Sequence, residues 1–547
     1  GMRPFPPHAG LKPRCMLKRT SRLTAISASL VLALAACNTA TKPEATKKEN
    51  NSEVIYHVFQ RSFYDSNGDL HGDLKGLHEK LDYLQDLGVT SILMVPLYES
   101  VYYHNYFSSD FKKIDPRYGT LDDYLDLVKA IHQRGMKIYM DMETQYVTED
   151  HPWYKDSYHN PSSKYSDYLL YQDSAHTKPS TIVMDLTGLK GYDGVTRKIT
   201  TVNLRSKNVL EYNYDLFKYW VDPNNDGKFD DGVDGFRLDH MMDNLDHKPQ
   251  LKDLFKDFWT PLISRLKEVN PALNIVAEQA EWGSYAFEYL TEGHVDRVFG
   301  FRLAFAIRNF NKKEINAMAD TVLTLTPDNK GQVVFIENHD MPRFATVVNH
   351  NTAREKTGAA LNLLIGGIPS IYYGQEIGMA GSAGKFGMTD ANEIPVREAF
   401  EWYKADTGKG MALWYKNSGP WWDNRNNKPD DGVSLEEEKN DPHSLWNYYK
   451  ALIHLKRSND AIGNGKYQTL KNDNDSVVTF LRYTNDKAAV VAVNLSGGAQ
   501  QAVINISDAK VKINGEKPVN LFGEAPATGD AGKITVTLPP NSAQVFE

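Results

Sequence analysis

The chain has 547 residues, 41% hydrophobic, 11% aromatic and 24% charged, which excludes intrinsic disorder, a collagen-like repeat and a small disulfide-stapled scaffold. Lysine and arginine number 62 against 70 acidic residues, a net charge of −8, with no electrostatic footprint for nucleic acid. The two cysteines, Cys15 and Cys37, both lie near the start, so the body carries no disulfide framework.

Residues 1–36 hold six basic residues and no acid, and without them the remainder stands at −14. That balance suits a neutral polar ligand better than a polyanion. Lys18, Arg19 and Arg22 precede the apolar stretch Leu23–Ala36, which has the shape of a secretory signal and is too short to span a bilayer comfortably. Leu34-Ala35-Ala36-Cys37 resembles a bacterial lipobox, in which Cys37 becomes the lipidated first residue. The alternative is a buried apolar helix ending in an incidental cysteine. Counting from Met16 gives a signal of ordinary length, so the true start is Met2 or Met16. Residues 38–52 are polar and read as a flexible tether. Together, residues 1–52 place the body at a membrane surface, periplasmic or cell-surface facing, without spanning it.

Eight β-rich runs follow: Val54–Phe59, Ser91–Val95, Lys137–Met142, Gly235–Leu238, Asn274–Ala277, Arg297–Gly300, Gln332–Ile336 and Ser370–Tyr372. Amphipathic helical patterns such as Leu74–Leu87 and Leu121–Arg134 lie between them and close at Gly88 and Gly135. Eight strands with helical crossovers predict a parallel (β/α)8 barrel over residues 53–460. Residues 147–205 are too long for a plain crossover and predict an inserted subdomain after the third strand. Residues 380–440 read as an irregular excursion before a helix at Ser444–Arg457. Residues 461–547 turn all-β and predict a small C-terminal sandwich.

The carboxylates fall at strand C-terminal ends, the rim where barrel active sites are built. Asp141 ends the third strand, and Arg237 and Asp239 share the fourth. Glu278 follows the fifth, and Glu337-Asn338-His339-Asp340 follows the seventh. The chain has no HExxH, GxxxxGK[ST] or GxSxG motif. Two carboxyl groups about 5–5.5 Å apart suffice for retaining hydrolysis of a glycosidic bond. Arg237, facing the same way as Asp239 by period two, favours an ionised aspartate.

These residues resemble the α-amylase family, glycoside hydrolase family 13, from about Val54 to the end. Gly235–Asp239 is similar to its nucleophile segment, Glu278 to its general acid/base, and Asn338-His339-Asp340 to its transition-state-stabilising segment. Gly367–Glu376 resembles its eighth-strand segment, and Tyr103-His104-Asn105-Tyr106 its second-strand loop. The resemblance implies that Asp239 attacks the anomeric carbon and Glu278 protonates the leaving oxygen. It further implies that Asp340, His339, Arg237, Tyr106, His104, Asp141 and Tyr146 line the sugar site. Two positions depart. Gln145-Tyr146 stands where the family usually has Asn-His, and Met242-Asp243 where many α-amylases have Lys-His.

Asp65-Ser66-Asn67-Gly68-Asp69-Leu70-His71-Gly72-Asp73 sets oxygen donors at alternate positions, as calcium and magnesium loops do. It also resembles the family's metal loop, which implies ligation by Asp65, Asn67, Asp69, the His71 carbonyl and Asp73. An Asx-rich turn without metal is the alternative. Asp222, Asn224, Asp226 and Asp230 outline a possible second loop, with Val233 where a bidentate glutamate is expected. Trp414, Trp421 and Trp422 are either packed or stack on sugar faces, while Phe299, Phe301 and Phe305 read as core. The leading expectation is a lipoprotein hydrolysing α-glucosidic bonds, most naturally α-1,4, in starch-derived glucans. Calcium or magnesium would be structural, no organic cofactor is expected, and other glucan-uptake components are candidate partners. The rivals are an exo-acting α-glucosidase or transglycosylase on short oligosaccharides, and a non-catalytic glucan-binding lipoprotein.

Overall fold

The computed structural model describes residues 49–547. The signal segment, its Cys15 and Cys37, and most of the tether lie outside the described residues. The eight expected runs form strands β1 (Ile55–Val58), β2 (Ser91–Met94), β3 (Lys137–Met142), β4 (Gly235–Met241), β5 (Asn274–Gln279), β6 (Arg297–Phe299), β7 (Gly331–Val334) and β8 (Ile368–Tyr372). They close into a parallel barrel in chain order, with β1 pairing both β2 and β8.

Side chains alternate along each strand, and this decides the barrel's chemistry. On β4, Phe236 and Leu238 face the helices, where the Phe236 ring meets Phe217 at 4.8 Å. Arg237 and Asp239 face inward. A Cβ at position 235 would lie 2.0 Å from the Asn274 carbonyl oxygen, so only glycine lets β4 approach β5 there.

Helix Leu121–Gln133 buries Tyr124, Leu127, Val128, Ala130 and Ile131 and starts in a reciprocal capping box between Thr120 and Asp123. The predicted helix over 74–87 is broken into Leu74–Glu79 and Leu81–Leu87. The break falls at Lys80, whose ammonium sits 4.3 Å from the Tyr64 ring centre and 4.5 Å from that of Trp402.

Between β3 and β4 the inserted segment forms a three-stranded antiparallel sheet from Tyr146–Thr148, Thr196–Thr201 and Gly188–Lys190. Residues 380–440 carry only short turns of helix, such as Asp390–Val396, before helix Leu445–Ser458, capped by Ser444. The C-terminal region forms a five-stranded and a three-stranded sheet over a core that includes Leu481, Val490, Ile504, Val536 and Leu538. Among the described residues no helix is long and apolar enough to cross a membrane.

Candidate active site

Strand register brings the charged groups together. Asp141 on β3 lies directly opposite Arg237 on β4, with Val276 of β5 on the other side. Arg237 is 2% exposed, and its Nη1 donates to Asp141 Oδ2 at 2.7 Å and Asp239 Oδ1 at 2.8 Å. Its Nη2 stands 3.6 Å from Glu278 Oε2. One guanidinium therefore links three carboxylates on three adjacent strands.

Glu278 is aimed by a local irregularity. Between β4 and β5, Ala277 pairs with Leu238 and Gln279 with Met241, so β4 carries one extra residue against Glu278. His240 takes up the difference in a left-handed conformation, φ 46°. Its main-chain N–H then donates to Glu278 Oε2 at 2.8 Å, and Trp282 Nε1 donates to Oε1 at 3.1 Å. Gln145 holds the bulge from behind, donating from Nε2 to the Asp239 carbonyl at 2.6 Å and the His240 carbonyl at 3.1 Å.

The rim after β7 completes the site. Asp340 accepts from Arg397 Nη2 at 2.9 Å and lies 3.4 Å from His339 Nε2. Tyr106 stacks on His339 with ring centres 5.7 Å apart, and its hydroxyl donates to Asp141 Oδ2 at 2.5 Å. With that proton committed to Asp141, the Tyr106 oxygen accepts from His339 Nε2 at 3.0 Å. A cavity of about 530 Å³ opens onto Tyr106, Asp239, Glu278, His339 and Asp340, and also onto His104 and Tyr146. Of the sequence-predicted sugar-site residues, Asp141 and Arg237 sit immediately behind this wall.

Electrostatics follow from burial. Burial, then the neighbouring Glu278 carboxylate, push the Asp239 carboxyl well above the usual range, and Arg237 opposes them. Burial pushes Asp141 up to about 6 against the pull of Arg237 and Tyr106. Burial disfavours the Arg237 cation, but Asp141, Tyr106, Glu278 and Asp239 hold it firmly charged. Two carboxyl groups beside one guanidinium share protons as a set. Burial, with Arg397 and Arg237 nearby, drives the His339 pKa down and keeps its imidazole neutral.

Four contributors were invisible in the sequence. Arg397 donates to Asp340, to the His339 carbonyl and to the Tyr103 hydroxyl from an irregular stretch with no periodicity. Trp282 stacks on Phe301 with ring centres 4.8 Å apart, which fixes its indole against Glu278. Asp390 lines the cavity with both carboxyl oxygens buried and without a hydrogen bond, His104 Nε2 standing 3.6 Å from Oδ2, and burial lifts it to about 7. Asp246 accepts from Tyr146 at 2.5 Å and lies 2.8 Å from His240 Nε2. Burial works against the His240 cation, yet the Asp246 hydrogen bond and charge raise its pKa.

The α-amylase catalytic domain family matches residues 57–465, which span all three carboxylates. The chain belongs to the α-amylase family. The maltogenic amylase C-terminal domain matches residues 467–544. Alpha-amylase 3 of Dictyoglomus thermophilum is 30% identical over 453 residues, covering 81% of this chain and 84% of that protein. Probable oligo-1,6-glucosidase 3 of Bacillus subtilis is 28% identical over 520 residues, covering 81% and 90%. The crystal structure of the α-amylase from H. orenii matches with a TM-score of 0.74 and 29% identity, covering 91% of this chain and 99% of that one. The protein is thus a glycosidase of the α-amylase family, with the family's barrel and C-terminal β-domain.

The Gln145-Tyr146 departure from the α-amylase pattern has a structural counterpart. Tyr146 lines the cavity, but its hydroxyl is engaged by Asp246, and through it by His240. Trp414 is buried, stacked on Tyr103 at 4.6 Å, and Trp421 and Trp422 pack against the core.

The loop after β1 folds as successive Asx turns. Asp65 Oδ1 accepts from Asn67 N at 3.0 Å and Gly68 N at 2.8 Å. Asn67 accepts from Asp69 N at 3.0 Å, and Asp69 from His71 N at 2.9 Å. Asp73 caps the next helix through Gly76 N at 2.6 Å. Among the described residues no three His, Cys, Asp or Glu side chains form a group able to hold a metal ion. A hard cation at this loop would therefore need the Asn67 amide oxygen and the His71 carbonyl alongside the acids, an all-oxygen donor set that suits calcium or magnesium. In the second loop, Asp222 accepts from Asp226 N at 3.2 Å and Gly227 N at 2.9 Å, and Asn224 from Asp226 N at 3.0 Å. The Asp230 main-chain carbonyl accepts from His132 at 2.9 Å. Internal hydrogen bonds alone account for that turn.

Proposed function

We propose that this protein cleaves α-glucosidic bonds, most naturally α-1,4, in starch-derived glucans or malto-oligosaccharides with retention of configuration. The observation that carries the reading is the placement of Asp239, Glu278 and Asp340 around one cavity with Arg237 behind them. Asp239 attacks the anomeric carbon as Glu278 gives its proton to the leaving oxygen, so one C–O bond forms as the other breaks. Glu278, now a carboxylate, takes a proton from water, which displaces Asp239 and restores the α configuration. A sugar hydroxyl in place of that water makes the same step a transglycosylation. Asp340, His339 and Tyr106 hold the ring of the sugar being cleaved.

Similarity to an oligo-1,6-glucosidase favours a second reading, exo action on short α-1,6-linked oligosaccharides. Products from starch, maltotriose and isomaltose, resolved by length and linkage over time, decide between them. Internal cleavage of starch supports the first reading, and glucose from isomaltose with starch untouched supports the second. No release from any α-glucan leaves only a glucan-binding protein.

The reading extends to placement and metal. Lipidation at Cys37 would tether the enzyme at a membrane surface, and palmitate labelling that persists in Cys37→Ser would refute it. The Asp65–Asp73 loop would hold calcium or magnesium as a structural brace remote from the chemistry. Chelation is then expected to lower the melting temperature, by about 2 °C for each 2 kcal/mol lost in a chain of this size, with calcium restoring it. Asp65→Asn/Asp69→Asn should show no such response, and equal sensitivity in wild type and variant would remove the metal.

A further inference from the structure

At the opposite end of the barrel from the active site lies a second, larger cavity of about 910 Å³. Its roof is the start of the barrel strands, with Arg297 of β6, Gly331 of β7 and Ile368 of β8. Its other wall is the first C-terminal strand, Lys466–Thr469, with Arg482 from the next.

The charge on this cavity opposes that of the chain, whose net charge is −8. Arg297 is paired with Glu53 at 3.0 Å, and Lys466 stands 4.0 Å from Asp328. Lys330, Lys456, Lys471, Arg482 and Lys510 also line it, and these five make no ion pair among the described residues. The one further acid on the wall, Asp320, accepts from the Thr469 hydroxyl at 2.7 Å.

The five cations run from rim to floor. Lys471 and Lys510 are exposed and Lys330 is half-buried. Lys456 and Arg482 are each 1% exposed and bonded only to main-chain carbonyls. Lys456 Nζ donates to Gly463 at 3.2 Å, and Arg482 donates to Leu364 at 2.7 Å and Gly465 at 2.8 Å. Arg482 Nε is buried with no partner. Two desolvated cations, neither of them bonded to a carboxylate, are costly unless an anion joins them. Burial first, then Arg482, pull the Lys456 pKa down to about 7 against the opposing charge of Glu53.

We propose that this cavity is a binding site for a phosphate monoester. A tetrahedral dianion accepts hydrogen bonds from several directions at once, which suits a guanidinium and an ammonium on the floor with lysines on the rim. The volume is that of a pocket for a small organic molecule rather than a bare ion, so the ester's organic group has room beside the phosphate. The ester is either a free sugar phosphate or a lipid headgroup.

The test is calorimetric titration of the full chain with inorganic phosphate and with glucose 6-phosphate, at matched ionic strength, with glucose and chloride as controls. Saturable binding of the phosphates alone is expected, weakened at least tenfold in Lys471→Gln/Lys510→Gln, whose exposed positions leave folding and glucan hydrolysis unchanged. Arg482→Lys should abolish it, and the double variant carries the test should that variant not fold. Cosedimentation with phosphatidate vesicles that glucose 6-phosphate displaces assigns the site to a lipid headgroup, and its absence assigns it to a soluble ester. Heats that do not saturate, or an affinity unchanged in the double variant, overturn the proposal.

Discussion

Asp239→Asn is expected to lower kcat/KM on malto-oligosaccharides by about ten-thousand-fold or more, because no covalent glycosyl-enzyme can form. Glu278→Gln should lose about a hundred- to ten-thousand-fold on the same substrates, and far less on α-glucosyl fluoride, whose leaving group needs no proton. With the fluoride and azide, Glu278→Gln should release α-glucosyl azide, since azide displaces Asp239 without help from a base. Asp239→Asn should give none of that anomer. The pH profile supplies a further check. Burial and then the Glu278 charge raise the Asp239 pKa, so activity falls as pH drops through that raised value. Wild-type rates in either variant would contradict the assignment.

Arg237→Leu is expected to be the most damaging single substitution for the fold as well as for activity. The guanidinium is 2% exposed and bonds Asp141 and Asp239 within 2.8 Å. Its loss leaves buried carboxylates without a cation, which costs about 3–5 kcal/mol when one partner of a buried pair is removed. The sign of the pH dependence follows from the raised carboxyl pKa values. Asp141 already lies at about 6 beside the arginine, and both carboxyls rise further without it. Below their pKa values the acids are neutral and need no counter-charge, so the deficit is largest at neutral and alkaline pH and shrinks on acidification. Urea unfolding followed by circular dichroism at about pH 5 and about pH 8 measures it. A variant as stable as wild type at the higher pH would show that Arg237 does not neutralise this cluster.

The barrel was legible in the sequence because strand and helix formation is local. Runs such as Lys137–Met142 are rich in strand-forming residues, and the glycine after Leu87, with φ 99°, ends its helix as the pattern requires. Burial on a helix face needs nothing beyond spacing, so the 3.6-residue periodicity of Leu121–Gln133 survived into the structure. The break at Lys80 did not announce itself; its ammonium there lies 4.5 Å from the ring centre of Trp402, more than 300 residues away in the chain.

The clustering of the carboxylates was legible for a related reason: their position at strand ends fixed the rim, and alternation fixed which side chains face it. By itself the sequence determined the eight strands, the inward alternation of Arg237 and Asp239, and the identity of the rim acids. Only the tertiary structure decided how those acids are held. The extra residue at His240 exists only where β4 meets β5, and Arg397 reaches Asp340 across 57 positions of irregular chain. The cationic cavity likewise arises where the barrel meets the C-terminal sheet. Periodicity records what a segment buries against its nearest neighbours; register, bulges and ion pairs between distant segments have no period, so nothing short of the folded chain specifies them.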